Sequence, residues 1–245
     1  MAAESANQML EIIEFGTMNG QAALGAGVCN LAVTEANSAA LTGATASLGN
    51  GSGVASSTTL EANGSTTITT DADKSSISYR GVENPWGNVW QMLGGITISG
   101  NTASNGGVPY ICKNYNYVQT TPTSDYESVG FSLPNNSSWI SAMGYGSKDY
   151  DWVIMPAECA SGANSALPVG DNGWYDANLS GIRMVVQGGG WSFSESDGLF
   201  YYGCDRLPTD STYKSYGSRL LYIPTKNSIY TANIAKWQQE MNMGG

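Results

Sequence analysis

Between residues 188 and 223 the chain runs GGGWSFSESDGLFYYGCDRLPTDSTYKSYGSRLLYI, and this stretch constrains the fold more than any other. It opens on Gly188-Gly189-Gly190-Trp191, directly after an apolar run at 181–187 (GIRMVVQ) that reads as a central strand. It closes on Arg219-Leu220-Leu221-Tyr222-Ile223, which reads as a returning buried strand. Between them lie Ser192, Phe193, Ser194, Glu195, Ser196, Asp197, Phe200, Tyr201, Tyr202, Asp205, Tyr213 and Tyr216, with little periodicity. A strand, a rich irregular excursion and a returning strand imply a surface held out by a scaffold. Aromatic rings give large contact area at low entropic cost, and Ser and Asp give adaptable hydrogen bonding. The alternative is a long loop whose rings fold back into the core.

What the rest of the chain lacks narrows the chemistry. There is no histidine among the 245 residues, which removes Ser-His-Asp and Cys-His nucleophile activation and every His-ligated metal site. Only 12% of residues are charged, and the formal net charge is -10. With no Lys/Arg cluster, no grip on a nucleic-acid backbone is expected. With no apolar run near spanning length, no membrane insertion is expected either. The 31 glycines, with abundant Ser, Thr and Asn, suit an extracellular or virion β-rich protein. Met1-Ala2-Ala3-Glu4-Ser5 lacks a basic region followed by an apolar one, so no secretory signal is read there. Lysis or carriage on a particle would put such a chain outside a cell. Cys29, Cys112, Cys159 and Cys204 are too widely spaced for a zinc knuckle. Two disulfides in any of three connectivities, or four thiols buried as small apolar residues, are both open, and a chain of this size needs no staples. No cofactor is expected. A carboxylate pair such as Glu195 with Asp197 or Asp205 could serve glycoside hydrolysis. Without an activated nucleophile these acids read as polar contacts or turn formers.

Taken in order, residues 5–15 (SANQMLEIIEF) predict an amphipathic helix capped by Ser5, with Met9, Leu10, Ile12 and Ile13 as its apolar positions. A strand over 10–15 is the alternative. Residues 18–28 are Ala/Gly-rich, either a tight helix or an extended segment with close backbone approach. Residues 32–70 carry a turn signal at Gly49-Asn50-Gly51-Ser52-Gly53. They read either as a disordered linker or as an ordered excursion packed through Leu41, Leu48, Val54, Leu60 and Ile68. Asp71-Ala72-Asp73 lacks the further acids and the glycine of a calcium loop. Strands are predicted over 76–79, 95–99 and 109–118, the last two as a hairpin, with short pieces at 131–134 and 139–145. A buried strand over 151–156 is ended by Pro156. Trp86 and Trp90 belong to the core, and Arg80 and Glu83 form a polar link at their turn. Asp171, Asn172 and Asp176 read as turn formers, with calcium binding as the alternative. Ile229, Ile234 and Trp237 give the tail a helical spacing. The chain thus divides into residues 1–75, an N-terminal helix and Gly/Ser/Thr-rich excursion; 76–225, a binding domain; and 226–245, a helical tail.

Three motifs in this order resemble one family. They are Tyr79-Arg80-Gly81-Val82-Glu83-Asn84-Pro85-Trp86-Gly87-Asn88-Val89-Trp90, then the GG-x-W of Gly188 to Trp191, then Gly217-Ser218-Arg219-Leu220. The pattern, over residues 77–224, is similar to the C-type-lectin-like fold in the branch shared by formylglycine-generating enzymes and the variable proteins of diversity-generating retroelements. It also resembles receptor-binding proteins of gut bacteriophage tails. The resemblance implies an α+β fold of irregular, loop-rich antiparallel sheets with few helices. It implies a non-enzymatic attachment role, a bacterial surface glycan or protein as receptor, and a homotrimer on a virion. The residues it assigns to the ligand are Trp191 and the twelve residues named above, from Ser192 to Tyr216. One relative oxidises a substrate cysteine with a closely spaced cysteine pair, but here that region carries Cys204 alone. Another holds iron through histidines, which this chain lacks. The EPN and WND triplets of calcium-dependent sugar binding are absent as well. The alternatives are a capsule-degrading tip enzyme and a structural decoration protein.

Overall fold

The structure, a computed structural model of the chain, describes residues 2–29, 39–62, 66–70, 74–99, 106–114, 121–160, 169–175, 181–193, 196–209 and 215–219. Two helices come first, α1 (Ala2–Phe15) and α2 (Gly20–Leu24). Short strands follow: β1 (Gly53–Val54), β2 (Thr59–Ala62), β3 (Thr66–Thr69), β4 (Ile77–Tyr79) and β5 (Val82–Glu83). Then come β6 (Trp90–Ser99), β7 (Val108–Cys112), β8 (Tyr126–Ser128), β9 (Ser138–Tyr145) and β10 (Ile154–Cys159). The last are β11 (Asn172–Trp174), β12 (Arg183–Gln187), β13 (Tyr202–Gly203) and β14 (Tyr216–Gly217). Among the described residues the fold is therefore mainly β with few helices. The predicted tail helix and the strand over 220–223 lie outside them, as does Asp71-Ala72-Asp73.

The main sheet runs β10-β9-β11-β13-β12-β6-β7-β8, with β14 laid parallel to the start of β6. Most neighbours are antiparallel, as expected. The β11–β13 and β14–β6 pairs are parallel, because distant segments return to the sheet by crossover rather than by hairpin. The 95–99 strand is the far half of β6, and it does pair with β7 as an antiparallel hairpin. Arg183 faces Ile98 while Val185 faces Leu93, so β6 bulges at Gly94-Gly95. Gly95, at φ 82°, takes the left-handed backbone there. β12 is the predicted central strand, buried along its whole length. Pro156 lies inside β10 rather than ending it. β10 is an outer strand, where a missing N–H costs no ladder bond. Residues 131–134 form no strand; Leu133 exchanges backbone bonds with Gly106 and Gly107 instead.

The core has two main parts. Leu93, Ile96, Ile98, Val153, Met155 and Val185 fill one. Ile77, Tyr79, Trp86, Ile140, Leu199 and Phe200 fill the other, with Leu10, Ile12 and Phe15 of α1 packed against them. The N-terminal helix and the 76–225 segment thus share a core. Within the 32–70 stretch, β1 pairs with β4 and β2 with β3, and Leu60 packs beside Val28 and Trp191. That much of it is an ordered excursion, although Leu41 and Val54 stay exposed. Residues 18–28 contain both readings at once, the short α2 and then an extended run that Trp86 and Gly87 approach closely.

α1 meets the amphipathic expectation in part: Leu10 and Ile12 pack inward, but the helix starts at Ala2, so Ser5 lies inside it and does not cap it. Met9 and Ile13 face out, Ile13 at 76% exposure, while Ser5, Gln8 and Glu11, on one face at helical spacing, are buried. The buried side carries polar partners: Gln8 Nε2 donates to Leu199 O at 3.1 Å and to Tyr202 Oη at 2.7 Å. The Arg80–Glu83 link is also corrected. Arg80 pairs with Glu14 of α1. Glu83 accepts the Thr45 N–H at 2.7 Å, the Thr45 hydroxyl at 2.9 Å and the Gly43 N–H at 3.0 Å. Burial pushes the Glu83 carboxyl up, but these bonds and Arg219 outweigh it and hold it below its usual value.

Candidate functional site

The three sequence motifs meet at one hydrogen-bonded junction. Gly87 N–H donates to Gly188 O at 2.7 Å, and Trp191 N–H donates to Asn88 O at 3.0 Å. Arg219 reaches the same turn, donating to Asn84 O at 2.9 Å, to Glu83 O, and to Gln91 Oε1 at 3.2 Å. Gly188 has φ 93°, a left-handed backbone that strains any side chain, and a Cβ there would sit tightly, 3.0 Å from Pro85 O. This junction fixes where the 188–203 excursion leaves the sheet and where it returns.

The structure divides the residues assigned to the ligand. Trp191, Ser196, Asp197, Phe200, Tyr201 and Tyr202 are buried. Trp191 packs on Val28 and Leu60, Phe200 joins the second core cluster and Tyr202 the first. Their rings anchor the excursion to the scaffold and do not present a face, because loop aromatics of this size gain more from core contact than from water. Ser192 is exposed, and Phe193, Asp205 and Tyr216 are half-buried. Ser194, Glu195 and Tyr213 lie outside the described residues.

Phe193, Asp205 and Tyr216 come together in a notch on the sheet, with Trp90, Trp174 and Arg206. Its volume is about 190 Å³. Val186 and Gly203, both buried, also line it; a Cβ on Gly203 would lie 2.7 Å from Val186 Cγ2. Trp90 is the buried hub: Phe193 meets it edge-on at 5.1 Å and Tyr201 at 4.8 Å. Trp174 is 44% exposed and meets Phe193 at 6.5 Å and 75°, not in a parallel stack. Its backbone is held along the β13 side, by the β11–β13 pairing and by the Cys204 N–H donating to Trp174 O at 2.8 Å. At the rim Arg206 Nε lies 3.3 Å from Asp205 Oδ2.

Sequence reasoning missed Trp174 and Arg206. For Trp174 there was a signal in the Asn172-Gly173-Trp174-Tyr175 alternation, since strand period two puts neighbouring rings on opposite faces. Tyr175 is indeed buried where Trp174 is open. Arg206 gave none, being a lone cation in a loop.

Outside the notch the chain buries a set of carboxyls. Asp171 Oδ2 accepts the Phe200 N–H at 2.7 Å, and its Oδ1 takes the Gln21 side-chain amide. Asp197 Oδ2 accepts the Gly190 N–H at 3.0 Å. Each carboxyl lies against a glycine: Glu11 on Gly20, Asp171 on Gly198, Asp197 on Gly189. A Cβ on Gly189 would sit 2.2 Å from Asp197 Cγ. Burial first pushes all three upward, Glu11 to about 9. Asp171 adds to the rise at Glu11 and Asp197, while backbone N–H groups oppose it. Among the described residues none of the charges acting on these three groups is a cation. Asp171 is thus a clamp between segments, and Asn172 Oδ1 accepts the N–H of Gly173 at 2.8 Å; Asp176 lies outside the described residues. Among the described residues no group of three or more Cys, Asp and Glu side chains could hold a metal. No described helix is long and apolar enough to cross a membrane. The four cysteines are free thiols; burial raises the Cys159 thiol to about 12 and also lifts Cys204.

Comparison with family models, curated proteins and solved structures returns no match.

Proposed function

We propose that this chain is a non-enzymatic receptor-binding protein, an attachment head on a C-type-lectin-like scaffold. It is of the kind carried at a bacteriophage tail-fibre tip or varied by a diversity-generating retroelement. The observation that carries the reading is the notch. Half-open aromatic rings and one charged pair converge on a rigid sheet at the root of the excursion that the sequence singles out. The scaffold part of the reading is supported by the junction, where the three motifs of the resemblance are bonded to one another. The receptor is a bacterial surface glycan or protein, and several copies in a homotrimer multiply a weak single contact.

The test uses fluorescently labelled full-length protein on a panel of gut bacteria. Strain-selective attachment is expected, lost in a Trp174→Ala/Phe193→Ala variant with an unchanged circular dichroism spectrum. Absence of attachment by folded, assembled protein, or undiminished attachment by that variant, rejects the reading.

A further inference from the structure

The notch is small and chemically two-sided, and that combination narrows what it can take. Resting on the attachment reading above, we propose that it binds one neutral pyranose ring of a surface glycan, without calcium. The ring stacks on Trp174, and its hydroxyl edge meets Asp205 and Arg206.

Size comes first. At about 190 Å³ the notch is smaller than the ~300–1,000 Å³ clefts that enclose drug-sized ligands, so it holds one ring and not an oligomer. The walls come second. Trp174 on β11 and Tyr216 on β14 flank the notch from opposite ends, with Phe193 also lining it, and an exposed indole offers a flat apolar surface to a ring bearing C–H groups. The rim comes third. Asp205 and Arg206 are adjacent in sequence and in contact at 3.3 Å. A carboxylate only accepts hydrogen bonds and a guanidinium only donates them. A hydroxyl does both, so two neighbouring hydroxyls can satisfy the pair together.

Competing occupants fit less well. An aromatic side chain from a protein receptor would fill the same space, but it would strip water from the Asp205–Arg206 pair and return no hydrogen bond. An acidic sugar meets a chain of net charge -10 and an arginine already paired with a carboxylate. Side chains meet the hydroxyls directly, and among the described residues no cluster of acids is gathered for a bridging metal.

The experiment titrates the full-length protein with methyl pyranosides of glucose, galactose and mannose, read by tryptophan fluorescence. A glycan array of neutral and acidic sugars is run with and without EDTA, and the glycosides are also used as competitors of cell attachment. Saturable binding of at least one neutral glycoside is expected, unchanged by EDTA and competing with attachment. Trp174→Ala should weaken it roughly tenfold or more, and Trp174→Phe should retain most of it. Trp174-dependent attachment with no neutral sugar bound or competing overturns the sugar inference while leaving the attachment reading standing. Loss of sugar binding in EDTA, preference for acidic sugars, or full binding by both Trp174 variants also overturns it. Failure of both sugar binding and attachment removes the two together.

Discussion

Asp171 accepts the backbone N–H of Phe200 at 2.7 Å, so one buried carboxyl ties the start of β11 to the aromatic run that roots the notch. Its other oxygen holds Gln21 of α2. Asp171→Ala leaves a buried N–H and an amide without their acceptor, and a loss of about 3 kcal/mol is expected. Asp171→Asn keeps one carbonyl oxygen and should lose less. Urea denaturation of the two variants measures the difference; equal stability of Asp171→Ala and the wild type would show that the clamp carries no weight.

The rings at 200–202 are structural. Phe→Ala in a packed core costs about 3–5 kcal/mol, against a whole-domain stability of about 5–15 kcal/mol. A Phe200→Ala/Tyr201→Ala/Tyr202→Ala variant is therefore expected to unfold, with loss of near-ultraviolet circular dichroism. A cooperatively folded triple variant that only fails to attach would return these rings to the binding face.

Stability should fall as pH rises. Burial, then the charge of Asp171, lifts Glu11 from 4.5 to about 9, against the opposing Gly20 N–H. Between those values the folded chain holds a proton that the unfolded chain releases. The contribution is therefore fully present below about 4.5 and is lost as pH climbs toward 9. The limiting slope for one such group is about 1.4 kcal/mol per pH unit. Asp171 and Asp197 shift the same way. Glu11→Gln, permanently neutral, should flatten the profile and raise the thermal midpoint at about pH 8. A wild-type profile that is flat, or that rises with pH, is incompatible with neutral carboxyls at these positions.

Arg219 joins the closing motif to the turn at Asn84 through two backbone carbonyls and Gln91. Lysine is a point charge and cannot reproduce that fork. Arg219→Lys should cost about 1–2 kcal/mol and leave the Trp90 side of the sheet intact. Faster hydrogen exchange confined to β14 and the Glu83-Asn84 turn would be the signature; global acceleration would place the arginine's role elsewhere.

The strands were legible wherever period and length agreed, as in β12 and the β6–β7 hairpin, and so were the buried Trp86 and Trp90. The candidate site was legible only in part. A Phe-Tyr-Tyr run reads alike whether it faces water or core. What decides it here is a set of long-range partners, Gln8 for Tyr202 and Asp171 for Phe200, that no local pattern announces. For the same reason α1 misled: Gln8 is buried where Leu199 O and Tyr202 Oη on the excursion accept its amide, and the apolar Ile13 is left outside. Trp174 was overlooked because the alternation that marks it runs over a strand of only three residues and does not stand out from the loop around it.

β14 pairs parallel with β6 through Tyr216 and Trp90. During synthesis Trp90 leaves the ribosome well before Tyr216, and parallel pairing between distant segments is slow to close. A nascent chain or fragment stopping short of residue 216 carries the aromatic platform with one wall missing. The last wall of the notch is therefore added late, after the strands it leans on have been made.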